Sequence, residues 1–150
     1  MRKYVLDTSI LLHYVRHSDL ARQVEDSLSL LAKDAVPIIA SVTVGEMQGF
    51  VQRQQWGASK VKRLKKLVEK MIVVDIAAVD DELMNAYATI WNYSKNTLPG
   101  NKLGHSIGIG QNDVWIAALA RAAKAELITT DGDFSHLNEK WITVHTFKKK

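Results

Sequence analysis

The chain has no cysteine. That absence removes disulfides, thiolate zinc sites and cysteine nucleophiles together, and it suits a reducing compartment. No apolar run approaches the ~20 residues that a membrane-spanning helix requires. The apolar start at Tyr4–Leu6 is broken by Asp7 before it becomes an export signal, so the expected location is cytoplasmic. No HExxH pair and no GxxxxGK[ST] loop occurs, so zinc-peptidase and P-loop chemistry lack their signatures. No internal repeat is visible, and the only biased segment is a lysine-rich end.

What is present is an ordinary globular composition. The 150 residues are 47% hydrophobic and 24% charged, enough for a single domain over 1–150 with one buried core. The formal charge of +4 and pI near 9.3 favour a polyanionic partner. Basic residues gather at Lys60, Lys62, Arg63, Lys65, Lys66 and Lys70, and again at Lys148, Lys149 and Lys150. These runs read either as phosphate-facing surface or as a solvated helix face and a frayed tail.

Short apolar segments at 3–6, 36–40, 71–76, 126–129 and near 141–146 read as strands. Helical spacing predicts a helix after Asp7, capped by Thr8 or Ser9, and further helices at about 19–33, Thr43–Gln55, 59–70, 81–95 and 112–124. Asp80 is the expected cap of the fifth, and Thr97–Gly110, with Pro99 and four glycines, reads as a mobile loop. Strands alternating with helices imply a parallel sheet of four or five strands covered on both faces, a three-layer α/β/α sandwich. Right-handed crossovers then place all carboxyl ends of the strands on one edge, where open α/β sheets bind their ligands.

Four acids are predicted to meet at that edge. Asp7 and Asp131 follow strands, and Glu46 and Asp113 fall in first helical turns. Carboxylates packed together repel one another, and a hard divalent cation relieves the repulsion. Mg²⁺ or Mn²⁺ held there would assist phosphodiester cleavage. Each acid also has a structural reading. Glu46 completes a T-x-x-E capping box with Thr43, Asp113 sits beside Asn112 as a cap, and Asp131-Gly132-Asp133 forms a polar turn. Asp7 resists such a reading, because Thr8 and Ser9 already suffice as caps.

Rival chemistries fit less well. A phospho-receiver domain needs paired acids at the first strand and a lysine after a late one. A haloacid-dehalogenase-type phosphatase needs Asp where Ser9 stands. As an EF-hand, Asp131-x-Asp133 would place His136 and Ile142 at positions that require Gly and Glu. His13 and His17 lie one helical turn apart but lack a third metal ligand.

The phrases VLDTSILLHY, SVTVGEM, NDVWIAALA and LITTDGDF, in that order, resemble the successive motifs of PIN-domain ribonucleases, and size and charge resemble the VapC-type toxins among them. The resemblance spans nearly the whole chain. It implies Asp7, Glu46, Asp113 and Asp131 as the acidic metal site, with Thr130, Asp133 and Thr8 or Ser9 in support. It further implies Mg²⁺- or Mn²⁺-dependent endoribonuclease activity on an RNA substrate, homodimers, and inhibition by a separate antitoxin. A housekeeping RNA-processing nuclease and a non-catalytic binding scaffold are the alternatives, and a scaffold has no need of the acid set. The glycine-rich stretch Lys102–Gly110, which carries His105, is longer than the resemblance leads one to expect.

Overall fold

Tyr4, Val5 and Leu6 are all buried, yet Tyr4 and Leu6 pack into one apolar cluster and Val5 into another. Successive strand residues point to opposite faces, so a strand buried throughout must have a helical layer on each side. The same alternation splits Ile38 from Ile39 and Leu127 from Ile128. The computed structural model describes residues 1–77 and 80–148, and Lys149 and Lys150 of the basic tail lie outside them. Its order is β1 (Arg2–Leu6), α1 (Thr8–Val15), α2 (Asp19–Leu28), β2 (Ala35–Ala40), α3 (Ser41–Arg53), α4 (Ala58–Glu69), β3 (Ile72–Val74), α5 (Asp81–Ser94), α6 (Gln111–Ala123), β4 (Glu126–Thr129), a 3₁₀ segment Gly132–Leu137, and β5 (Val144–Thr146).

The five strands form one sheet in the order β3-β2-β1-β4-β5, and every pairing is parallel. Helices α5 and α6 supply Leu83, Ile90, Val114 and Ile116 to one face, while α1 to α4 supply Ile10, Val24, Met47 and Leu64 to the other. The strand order reverses at β1, between β2 and β4, which opens a crevice beyond their carboxyl ends. The expected three-layer α/β/α arrangement is therefore the one observed.

Several boundaries differ from expectation for local reasons. Helix α2 stops at Leu28 rather than near 33, because Ser29 takes a left-handed conformation (φ 51°) that ends the helix. Strand β3 is only three residues long; it is an edge strand, and Asp75 turns the chain by accepting from the Ala77 amide at 2.8 Å. Strand β5 starts at Val144, since Asn138 bridges Ile142 and its side chain holds the Val144 amide at 2.8 Å. Helix α1 ends at Val15, so His17 (φ 51°) lies beyond it and His13 and His17 do not share a helical face.

The Asp80 cap is as expected: its Oδ1 accepts from the Glu82 and Leu83 amides at 3.0 and 3.3 Å. Asp80→Ala is expected to cost about 1 kcal/mol, a Tm drop of about 2–4 °C at this chain length, read by thermal denaturation.

Candidate active site

Asp7 ends β1 and turns the chain into α1. Its extended backbone (φ −64°, ψ 154°) makes it the N-cap, and Oδ1 accepts from the Thr8 amide at 2.8 Å. The expectation that Thr8 or Ser9 caps this helix is thus corrected. The other oxygen, Oδ2, accepts from the Thr129 hydroxyl at 2.7 Å and from Ser9 at 3.4 Å. Only 6% of Asp7 is exposed. Burial pushes its pKa up, the hydrogen bonds from Thr129 and Thr8 oppose that, and the charges of Glu46 and Asp131 reinforce it.

Glu46 stands on the second turn of α3, not the first. The helix begins directly after β2, with Ala40 as an N-cap that offers no side chain, so Thr43 lies within the first turn. No capping box forms. Thr43 is instead fully buried 3.2 Å from the Thr8 hydroxyl, which donates to Glu46 Oε1 at 2.8 Å. Glu46 is otherwise exposed on the rim.

Asp113 occupies the first turn of α6, as expected, with Gly110 rather than a side chain as cap. Its pKa is pushed up to about 7, first by burial and then by the charges of Asp7, Asp131, Glu46 and Asp133. Asp131 precedes the 3₁₀ segment and accepts from the Asp133 amide at 2.8 Å, which is the polar turn the sequence suggested. Its own amide donates to Thr129 Oγ1 at 3.0 Å. Thr129 therefore ties two acids together, a role expected of Thr130; Thr130 lines the cleft beside it.

Asp7, Thr8, Ser9, Glu46, Phe50, Thr130 and Asp131 share a cleft of about 470 Å³. Asp113 is outside that lining but feels the same charges. A larger groove of about 770 Å³ opens at the other end of β4, around Glu126 and Trp141, and gathers none of these acids. Size is a poor guide here, because the acids gather at the carboxyl edge and not in the larger groove.

The donors in the cleft are all oxygen, from carboxylates and hydroxyls, and among the described residues none of the four acids has a basic partner. That set suits Mg²⁺ or Mn²⁺, which need only one or two protein carboxylates and otherwise keep water. Among the described residues no three acids lie close enough to enclose an ion on their own. The acids still sense one another, since the charges of the other three add to burial in raising the Asp113 pKa.

The basic residues divide. Arg63 donates to the Val15 carbonyl at 3.2 Å, closing the end of α1, and Lys60 lies over the Trp56 ring at 4.3 Å. Lys62, Lys65, Lys66 and Lys70 are exposed. One cation was not anticipated: Arg53 stacks at 4.8 Å over Phe50, a wall of the acidic cleft. An isolated arginine at a helix end gives no sequence signal.

Fold and site together define a parallel α/β domain with carboxylates at its topological switch point. The PIN domain profile matches residues 4–140, and the chain belongs to the PIN domain family. No curated protein sequence matches it. Among solved structures it is similar to VapBC2 from Rickettsia felis bound to a promoter DNA fragment (22% identity, TM-score 0.73, covering 97% of this chain and 99% of that one). It is also similar to VapBC-1 from nontypeable Haemophilus influenzae (20% identity, TM-score 0.70, covering 96% and 97%). VapBC-5 from Mycobacterium tuberculosis aligns at 21% identity and TM-score 0.63 over 99% and 100%. Identities this low establish a shared fold. Among the described residues no helix is long and apolar enough to cross a membrane.

Proposed function

We propose that this PIN domain is a Mg²⁺- or Mn²⁺-dependent endoribonuclease and the toxin of a toxin–antitoxin pair. The observation that carries the reading is convergence: four acids from separate elements reach one sheet edge, where burial and then the charges of its neighbours push the Asp113 pKa up to about 7. Caps need only Asp7 and Asp131, so the grouping of four repelling carboxylates supports a chemical use.

Asp7 and Asp113 would hold the ion directly, with Glu46 and Asp131 completing the pocket, directly or through waters. When bound, the cation stabilises the negative charge that builds on the phosphoryl oxygens. The protein's own part is positional. Thr129 and the Thr8 amide fix the two oxygens of Asp7, and the Thr8 hydroxyl fixes Glu46. Glu46, exposed on the rim, and Asp131, locked by the Asp133 amide, orient the attacking water. Purified protein is expected to cut single-stranded RNA with Mg²⁺ or Mn²⁺ and to stop when the cation is chelated. No cleavage with either ion would sink the proposal.

Flanking phosphates are assigned to Arg53 and to the exposed face of α4. Helix α4 meets the far end of α1 through Arg63, roughly 12 Å from Asp7 along an eight-residue helix. Replacing Lys62, Lys65 and Lys66 together by Ala should weaken RNA binding and flatten its logarithmic salt dependence by about 2, three contacts at ~0.7 each on a single strand. Fluorescence anisotropy across a salt series reads this, with kcat at saturating RNA unchanged.

The VapBC structures support a partner antitoxin here too. The exposed apolar residues Val44, Ile72, Val73 and Met84 are consistent with protein partners, including a second copy in a homodimer.

A further inference from the structure

Among the described residues, five polar or charged side chains are buried: Asp7, Thr8, Thr43, Thr129 and Ser94. The first four belong to the acidic site. Ser94 does not. It is the last residue of α5, fully buried, in a place where Ala would serve helix and packing equally well. Buried hydroxyls are retained when they are bonded, and this one is bonded across 42 residues of sequence: its Oγ lies 2.7 Å from His136 Nε2.

The two segments that meet at Ser94 are the ones that carry acids. The Ser94 carbonyl accepts from the Ile107 amide at 2.7 Å, within the glycine-rich loop. Ile109, buried at 3%, follows, and then Gly110, the cap that starts α6 three residues before Asp113. Asn96 adds a second grip, its Oδ1 accepting from the Leu103 and Gly104 amides at 2.9 and 3.0 Å. On the other side, His136 sits in the 3₁₀ segment Gly132–Leu137, whose N-cap is Asp131. Tyr93 stacks on its ring at 6.1 Å. With Nε2 unprotonated, the ring accepts the Ser94 proton.

We infer that Ser94 is a positioning residue, clamping the Asp113 loop through its carbonyl and the Asp131–Asp133 segment through its hydroxyl, and thereby setting the distance between those acids. Its catalytic consequence rests on the nuclease reading above; the clamp itself does not. The extended loop Lys102–Gly110 is thereby tied to the end of α5 shortly before the helix that carries Asp113.

The test uses Ser94→Ala, His136→Phe (which keeps a ring against Tyr93) and the double variant, in the full chain. Each single variant should lower kcat by about tenfold with KM for RNA unchanged, the penalty of displacing a reactive group without touching it. The double variant should be no worse than either, because one hydrogen bond is lost in all three. Amide hydrogen exchange should quicken at Asp133 while Val5 in β1 and Ile107 stay protected. A role in packing alone would lower protection throughout and leave kcat per folded molecule intact. That result, or unchanged exchange at Asp133, overturns the inference. If wild-type protein cuts no RNA, the nuclease reading fails on its own, and exchange at Asp133 still decides for or against the clamp.

Discussion

Asp7→Asn is expected to leave a folded protein that cuts RNA at least about a thousandfold more slowly, the scale of loss seen when a reacting group is deleted. The substitution removes charge and little else. Asn is as good an N-cap as Asp, so its Oδ1 still accepts from the Thr8 amide, now at 2.8 Å. The new Nδ2 faces Thr129, whose hydroxyl turns from donating to accepting; its oxygen can still take the Asp131 amide on the second lone pair. The sign of the stability change follows from the raised pKa of Asp7, which is due first to burial. A carboxylate whose native pKa is raised destabilises the fold once it ionises, and Asn never ionises. Without metal, the variant should therefore melt at or above wild type at neutral pH, and its advantage should shrink in acid. A large drop in Tm with cleavage per folded molecule preserved would make Asp7 a structural cap and end the catalytic assignment.

The fold was legible because each strand is short, apolar and followed by a helix of the right period. The expected bounds Glu126–Thr129 for β4 coincide with the observed ones, and Asp80 caps α5 as its position suggested. Element ends were less legible, since they depend on single backbone conformations. Ser29 ends α2 by adopting φ 51°, which no apolar periodicity encodes. Helix α3 starts at Ser41 because β2 runs apolar up to Ala40, and that shift moved Thr43 from an expected cap to a buried neighbour of Thr8 and Glu46 to the second turn.

Within the site, the acids could be picked out by their positions after strands and at helix starts, and Thr8 and Ser9 as supporting hydroxyls, but Thr129 could not. Thr129 and Thr130 are equivalent in sequence. The choice between them is made by sheet register: Leu6 pairs with Ile128, and the Asp7 amide donates to the Ile128 carbonyl at 2.9 Å, so Asp7 arrives beside Thr129. A contact spanning 122 residues is set by tertiary structure alone. Ser94 and Arg53 escaped notice for the same reason, each being one polar residue at the end of an ordinary amphipathic helix.

Asp113 should make the metal-free protein lose stability as pH rises, the reverse of the usual behaviour of a carboxylate. Its pKa stands at about 7 in the fold against 3.8 for the unperturbed group. Between those values the native state holds a proton that the unfolded chain has released, so stability falls with increasing pH through the window and levels off above about 7. Asp113 is half-buried, and solvent screening reduces the effect to about 1–2 kcal/mol, or roughly 3–6 °C in Tm for a chain of this size. Asp113→Asn should abolish that slope relative to wild type, and the difference between the two melting curves isolates this group from every other titrating acid. Saturating Mg²⁺ or Mn²⁺ favours the ionised carboxylate and should flatten the wild-type curve toward that of the variant, while the variant responds weakly. A wild-type-minus-variant difference that neither varies with pH nor responds to the cation would mean that Asp113 is a solvated acid at a helix start. The four carboxylates would then share an edge without sharing an ion.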